Sequence, residues 1–495
     1  MTDQTEIDAL RGAPVTPGQL FIGGQWVEAA DGARLDVISP LNGQLLTTIA
    51  DAGPADVRRA VQAARLAFDR GDWSTMAPAG RKRVLLRIAD LIDANAGALA
   101  VLGVRDNGTE ISMALKAEPG SAAATFRYYA EALDKVYGEI APTAPDVMGL
   151  IHREPVGVVA AIVPWNMPMM IGAWKLAPAL AMGNSVVLKP AETASLALLR
   201  LAEICAEAGL PDGVLNVVTG RGTVTGAALG RDMDVDVLVF TGSSMVGRKL
   251  LEYSAQSNLK RVYLELGGKS PNIVFADAPD LDRVAKVSAL GIFRNAGQIC
   301  VAGSRLLIEA SIHDVLIEKI ATFAAKMKVG DPLDLTTEMG AINSEVQLTK
   351  SLAHVEKAQA EGARLVTGGA RLDAGGGGYF MQPTVFAGVT PTMSLAREEV
   401  FGPVLAALTF TTEAEAVQLA NGTEYGLASG VWTTNLSRAH RMVRAIKAGV
   451  VHVNTYGGAD GTVPLGGHKQ SGNGHDKSLH ALDKYTDLKT AWIQL

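Results

Sequence analysis

From residue 158 onward, short wholly apolar runs alternate with stretches of helical periodicity. The run 158–163 (Val-Val-Ala-Ala-Ile-Val) has no polar face, the mark of a strand buried on both sides. The pattern then predicts a helix at 169–182, a strand at 185–188, a helix at 195–208 and a strand at 214–218. A short helix near Val224, a strand at 235–240, a helix at 244–255 and a strand at 261–264 follow. Gly209 with Pro211 just beyond gives the helix at 195–208 its stop signal. Strands spaced by helices in this way imply parallel pairing through right-handed crossovers, in outline a doubly wound nucleotide-binding unit. A second α/β series begins near Asn272 and runs to about Val453, with strands at 304–308, 404–410, 427–432 and 449–453 and a helix at 313–326.

Upstream, the polar first fifteen or so residues read as a loose tail. Phe21 to Val27 reads as a hairpin turning at Gly23-Gly24. Helical periodicity follows at 54–70, 80–94 and 97–115. Segment 138–154 is Pro-interrupted and extended, an excursion away from the core. Residues 483–495 alternate as a terminal strand does, and such a strand can add to the edge of another subunit's sheet.

Composition narrows the class. At ~150 residues per domain, 495 residues imply more than one domain. A 48% hydrophobic and 19% charged chain is an ordinary globular one, and a net charge of −6 gives no footing for nucleic acid or a membrane surface. No run approaches the ~20 apolar residues of a membrane helix. The acidic start lacks the basic and apolar regions of a secretory signal, and two distant cysteines form no disulfide framework, so the cytoplasm is the expected location.

Of those cysteines, Cys205 sits in a helical pattern and reads as packing. Cys300, in Gly297-Gln298-Ile299-Cys300, sits in a Gly-flanked loop and reads as a nucleophile. Glu265 ends a strand before Gly267-Gly268; a carboxylate there is either a general base acting through water or an ordinary salt-bridged glutamate. Asn166, after Pro164-Trp165, can donate to a developing oxyanion, or is a turn residue. Gly242-Ser243-Ser244 follows a strand and opens a helix, which suits a diphosphate and equally suits a tight turn. Lys189 and Glu192 follow another strand, where they suit ribose hydroxyls or form a solvated pair. The runs 398–403 and 464–474 read alone as loops. With no CxxC, HExxH or GxSxG, neither a metal site nor a serine hydrolase is indicated.

Together, Glu265-Leu266-Gly267-Gly268-Lys269-Ser270, Gly297 to Cys300, and Glu399-Val400-Phe401-Gly402-Pro403 resemble the NAD(P)-dependent aldehyde dehydrogenase superfamily, in its broad-specificity, non-acylating members. The resemblance runs from about Phe21 to the C-terminus. It implies an α/β fold with a Rossmann-type doubly wound NAD-binding domain at 21–137 and 157–266 and an α/β catalytic domain at 267–473. It also implies a β oligomerisation arm at 138–156 and 483–495, in a homodimer or homotetramer.

The implied reaction is NAD-dependent oxidation of a small aldehyde to its acid. Cys300 attacks the carbonyl, Asn166 and the Cys300 N–H hold the oxyanion, and Glu265 activates the water that hydrolyses the thioester. Lys175 and Asp476 match a proton relay for Glu265, although relatives often carry Glu at the second position. Lys189, Glu192, Gly242, Ser243, Trp165, Glu399 and Phe401 match cofactor contacts, with Glu399 on the nicotinamide ribose. Glu192 would repel a 2′-phosphate and so favours NAD over NADP.

The implied substrate tunnel is lined by Met167, Met170, Ile171, Trp174, Arg294, Ile299, Leu465 and the loop 457–463. Many relatives carry aromatics at several of these places; here a wider, Met-lined tunnel is expected. Arg294 either selects an aldehyde bearing a carboxylate or points to solvent. The competing readings are an NADP-preferring semialdehyde dehydrogenase, a CoA-acylating relative, which typically lacks the glutamate at 265, and a catalytically inert binding protein.

Overall fold

Two seven-stranded sheets carry most of the chain in the computed structural model, which describes residues 2–374, 376–458 and 460–495. The first runs in the order Arg261–Glu265, Val237–Thr241, Val158–Ile162, Ser185–Lys189, Leu215–Val217, with the hairpin Leu20–Ile22 and Gln25–Val27 at its edge. Its five central strands are parallel, and the hairpin joins antiparallel through Phe21 opposite Val217. The chain enters at Val158–Ile162, builds two strands to one side, and returns to build two on the other. The order therefore reverses between Val158–Ile162 and Val237–Thr241, and the carboxyl ends of strands at such a reversal form a ligand crevice. These strands are buried along their length, which is why they appear in the sequence as unbroken apolar runs.

The second sheet orders Arg364–Thr367, Thr384–Ala387, Val404–Phe410, Arg305–Glu309, Pro271–Val274, Ala428–Trp432 and Val450–Val453, parallel except at the first edge. A third, antiparallel sheet pairs Thr486–Gln494 with Val147–Pro155 over their whole length, from Thr486 opposite Pro155 to Gln494 opposite Val147. Glu139–Ala141 lies on its far side, so the C-terminal strand is an edge and leaves Leu488 and Trp492 exposed.

Three expectations are corrected. Residues 4–11 are not loose: Gln4–Arg11 is a helix whose N-cap Asp3 accepts from the Glu6 N–H and whose Ile7 is buried. One apolar anchor and a cap suffice because the helix packs on its neighbour Ala96–Asn107. The stretch 97–115 is broken at Gly108, whose φ of 86° ends Ala96–Asn107. Helical structure also continues beyond 115, through a wide turn at Lys116–Gly120 into Ser121–Ala132. Pro119 suggests a stop, yet a π turn tolerates its missing N–H. Among the described residues no helix is long and apolar enough to cross a membrane.

Candidate active site

Three glycine-containing loops meet beyond the carboxyl end of the strand Arg261–Glu265. A Cβ on Gly268 would lie 2.5 Å from the Cys300 carbonyl oxygen, and one on Gly297 2.1 Å from the Gly402 carbonyl oxygen. A Cβ on Gly267 would lie 2.2 Å from Glu399 Oε2. No side chain fits at these crossings, so the glycines let the Glu265, Cys300 and Glu399 segments converge. The 464–474 loop, silent in the sequence, lies along the Glu265 strand. Leu266 N–H donates to the Ser471 carbonyl at 2.8 Å and Ser471 Oγ donates to the Gly267 carbonyl at 2.7 Å. From behind, the buried Arg305 guanidinium donates to the carbonyls of Lys269, Leu419 and Ala420.

Cys300 follows a turn with left-handed backbone at three successive residues, Asn295 (φ 49°), Ala296 (φ 49°) and Gly297 (φ 72°). Two of these are not glycine, and such strain persists only where surroundings enforce it. Here the Asn295 N–H donates to the buried Glu110 carboxylate at 3.2 Å, and Thr109 Oγ1 donates to Asn295 Oδ1 at 2.8 Å. Asn295 Nδ2 reaches the Asn166 carbonyl at 3.2 Å, and Asn166 Nδ2 donates to the Gln298 carbonyl at 2.8 Å. That leaves one Asn166 amide hydrogen uncommitted beside Cys300. Thr109, Glu110, Asn295 and Gln298 were not marked by the sequence, because their role exists only once residues far apart in the chain meet.

Cys300 is half-buried and opens on a cavity of about 390 Å³. Trp165, Asn166, Gly242, Ser243, Glu399 and Phe401 line the same cavity, with Gln347, Lys350 and His354 at one side. It occupies the crevice that the strand order marks. Burial pushes the Cys300 thiol up to about 12, with the Glu399 and Glu265 carboxylates adding to the effect. Burial also raises the Glu399 carboxyl to about 7, against the opposing Gly268 N–H that donates to it at 2.8 Å. Cys205 is fully buried in the first core, as a packing residue is.

Glu265 ends its strand almost fully buried, with Oε1 lacking any hydrogen-bond partner. Burial, then the nearby Asp476, holds its carboxyl well above the usual range. Lys175 Nζ and Lys484 Nζ each meet one oxygen of Asp476 at 2.5 Å, all three side chains being buried. Both Asp476 oxygens are thus occupied by lysines, and no hydrogen bond links Asp476 to Glu265 Oε1. Lys484 was missed in the sequence; a lysine inside the apolar-flanked run Leu482-Asp483-Lys484-Tyr485 was its only signal.

The cofactor residues fit a dinucleotide. Ser243 caps the twelve-residue helix Ser244–Ala255, and the buried hydroxyls of Thr241 and Ser244 lack partners at that helix N-terminus, where a diphosphate would sit. Lys189 is buried, with Nζ 3.5 Å from the half-exposed Glu192 carboxylate, a pair of donor and acceptor suited to ribose hydroxyls. Trp165 and Phe401 meet edge to face at 5.3 Å.

The tunnel residues are less uniform. Met167 is buried in the first core, Met170, Trp174, Ile299 and Leu465 are half-buried, and Arg294 is exposed. None of these six borders the Cys300 cavity, although Ile171 does. Residue 459 of the loop 457–463 lies outside the described residues. Among the described residues no cluster of three or more His, Cys, Asp or Glu is arranged to hold a metal.

The model of the Aldehyde dehydrogenase family matches residues 26–491. The chain is 50% identical over 478 residues to the NADP/NAD-dependent aldehyde dehydrogenase PuuC of Escherichia coli, covering 96% of each. It is similar to the crystal structure of an indole-3-acetaldehyde dehydrogenase with NAD+, at a TM-score of 0.98 and 49% identity over all of both chains. The gamma-glutamyl-gamma-aminobutyraldehyde dehydrogenase of Burkholderia cenocepacia matches at a TM-score of 0.97 and 49% identity, again over all of both chains.

Proposed function

The chain belongs to the aldehyde dehydrogenase family, NAD(P)-dependent oxidoreductases that convert aldehydes to acids, and from that premise we propose that it oxidises a polar-ended aldehyde with NAD through a covalent thioester on Cys300. The observation that carries the reading is the convergence of Cys300, Asn166 and Glu399 on one cavity at the strand-order reversal. Cys300 Sγ, its proton passing to solvent water, adds to the aldehyde carbon. The free Asn166 amide hydrogen and the Cys300 N–H hold the resulting oxyanion. When bound, the dinucleotide supplies the hydride acceptor. Lys189 and Glu192 would hold its adenosine ribose, Gly242 and Ser243 its diphosphate, and Glu399 its nicotinamide ribose, with Trp165 and Phe401 at that end. Glu265 then takes a proton from the water that displaces the sulfur and releases the acid.

Two finer features belong to the same proposal. Glu192 places a carboxylate where a 2′-phosphate would have to sit, which favours NAD. The arm at 138–156 and 483–495, with its unpaired strand edge and exposed Leu488 and Trp492, serves a dimer or tetramer. The domain division at 21–137 with 157–266, and 267–473, follows the two large sheets.

The test is NADH formation from short, long, aromatic and carboxylated aldehydes, with NAD and NADP compared in each. Oxidation with a higher kcat/KM for NAD supports the reading. NADH formed only when a thiol such as CoA is present, with an acyl-CoA and not the free acid as product, or no oxidation at all, overturns it.

Asn166→Ala is expected to lower kcat by about 10²–10³-fold, the usual cost of losing one oxyanion donor. Stopped-flow of the first turnover checks this, since the loss falls on the acylation phase. A milder effect is expected at Arg294, exposed at the start of the left-handed turn. The polar-ended substrate in the name of the Burkholderia cenocepacia enzyme supports a charge contact from Arg294, although Arg294 does not itself border the Cys300 cavity. Arg294→Ala should cut the preference for anionic over neutral aldehydes about fivefold, the weight of one screened contact of ~1 kcal/mol. Unchanged relative kcat/KM across the panel removes Arg294 from substrate selection.

A further inference from the structure

Behind the Glu265 carboxylate lies a buried cluster that the reaction as drawn does not use. Asp476 stands between two lysines, Lys175 from the helix Pro168–Ala181 and Lys484 from the turn Leu479–Lys484 that leads into the C-terminal strand. One lysine would neutralise Asp476. Two leave the cluster with a net positive charge, an expensive arrangement inside a protein unless a further anion lies near. The nearby carboxylate is Glu265, whose Oε1 has no hydrogen-bond partner of its own.

We propose that Lys484 is a positioning residue for the general base: by making the cluster around Asp476 net positive, it favours the anionic form of Glu265 against the burial that opposes it, while Asp476 stays a fixed counter-ion and carries no proton. This rests on the reading of Glu265 as the base that hydrolyses the thioester. The charges facing one another there are few. Glu265 faces Asp476, Lys175 and Lys484 on one side and Cys300 on the other. Asp476 also faces Lys477, Tyr129 and Tyr485, with Tyr263 beyond Tyr485, and Lys484 also faces His475 and the Tyr485 ring; burial and Lys175 lower the Lys484 ammonium, while Asp476 and Glu265 oppose them. Burial pushes the Asp476 carboxyl up, but the two lysines outweigh it and hold it below its ordinary value. For Glu265, burial and Asp476 raise the carboxyl while Lys175 and Lys484 oppose them. Loss of Lys484 removes one of only two opposing cations, so the carboxyl rises further. A base works only when ionised, so the rising limb of hydrolysis then moves to higher pH.

The experiment isolates hydrolysis from the redox step. An activated ester, 4-nitrophenyl acetate, acylates the Cys300 sulfur directly as nitrophenolate leaves; water then displaces the sulfur and acetate departs. Decay of the acetyl-enzyme is followed by intact-protein mass spectrometry against pH. Two variants are used, Lys484→Met, which keeps the volume, and Lys484→Gln, which keeps a donor. The expected result in either is a limb displaced upward by about one pH unit, with return toward the original position in Lys484→Arg. A merely structural role for Lys484 lowers the rate equally at every pH and leaves the limb in place, and that result overturns the inference. Glu265→Gln is the control for the parent reading. If its acetyl-enzyme decays at the ordinary rate, the assignment of the base fails; if it persists while the Lys484 variants keep the original limb, only the present inference fails.

Discussion

Replacing Cys300 with alanine is expected to lower aldehyde oxidation by roughly 10⁴-fold or more, while NAD binding changes by no more than about threefold. The proposed reaction needs a covalent bond to the aldehyde carbon, and the cavity offers no second nucleophile in the place of that sulfur. Cys205 cannot substitute, being fully buried in the first core. Binding should survive because the proposed dinucleotide contacts, Lys189, Glu192, Ser243 and Glu399, do not involve the thiol. The left-handed turn before Cys300 is held by Glu110, Thr109 and Asn166, so it keeps its shape in the variant. Steady-state NADH formation and a fluorescence titration with NAD check the two halves. A variant that retains a tenth of the activity contradicts the assignment.

Glu265→Gln gives the second large effect, of a different kind. The amide has nearly the same shape but cannot accept a proton from water. The first turnover is expected to proceed, giving a burst of NADH close to one equivalent per active site, after which the rate falls by about 10²–10⁴-fold. The thioester accumulates because the two half-reactions use different groups. The burst itself is expected to be no slower than in the parent protein, since the Cys300 thiol loses one of the two carboxylates that push it up. Rapid-mixing absorbance at the NADH band separates the phases. Uniform slowing with no burst would place Glu265 in the attack step instead.

How much of this was legible in the chain depends on the range over which each feature is encoded. The strands 158–163 and 185–188 were readable because strands buried on both faces must be apolar throughout. The helix Gln4–Arg11 was not, because its apolar face is only Ile7 and Leu10 in a short, otherwise polar segment. Pro119 misleads for the opposite reason: a local rule about proline is overridden by a π turn packed between helices.

The site shows the same division. Cys300, Glu265 and Glu399 sit in short motifs whose glycines are needed where backbones cross, so local sequence carries them. The clamp of Thr109 and Glu110 on Asn295, and the contact of Lys484 with Asp476, join residues far apart in the chain. No local pattern could announce them. The burial and the neighbouring carboxylates that push the Cys300 thiol up are likewise properties of the fold and not of the motif.

The most direct measurement is to quench the protein during the burst with an aldehyde and NAD, digest it, and locate the acyl group by mass spectrometry. The account predicts one acyl group on the peptide containing Cys300, appearing with the first equivalent of NADH and lost as the acid forms. NADH produced while every Cys300-containing peptide remains unmodified, or an acyl group found on Cys205, would contradict it.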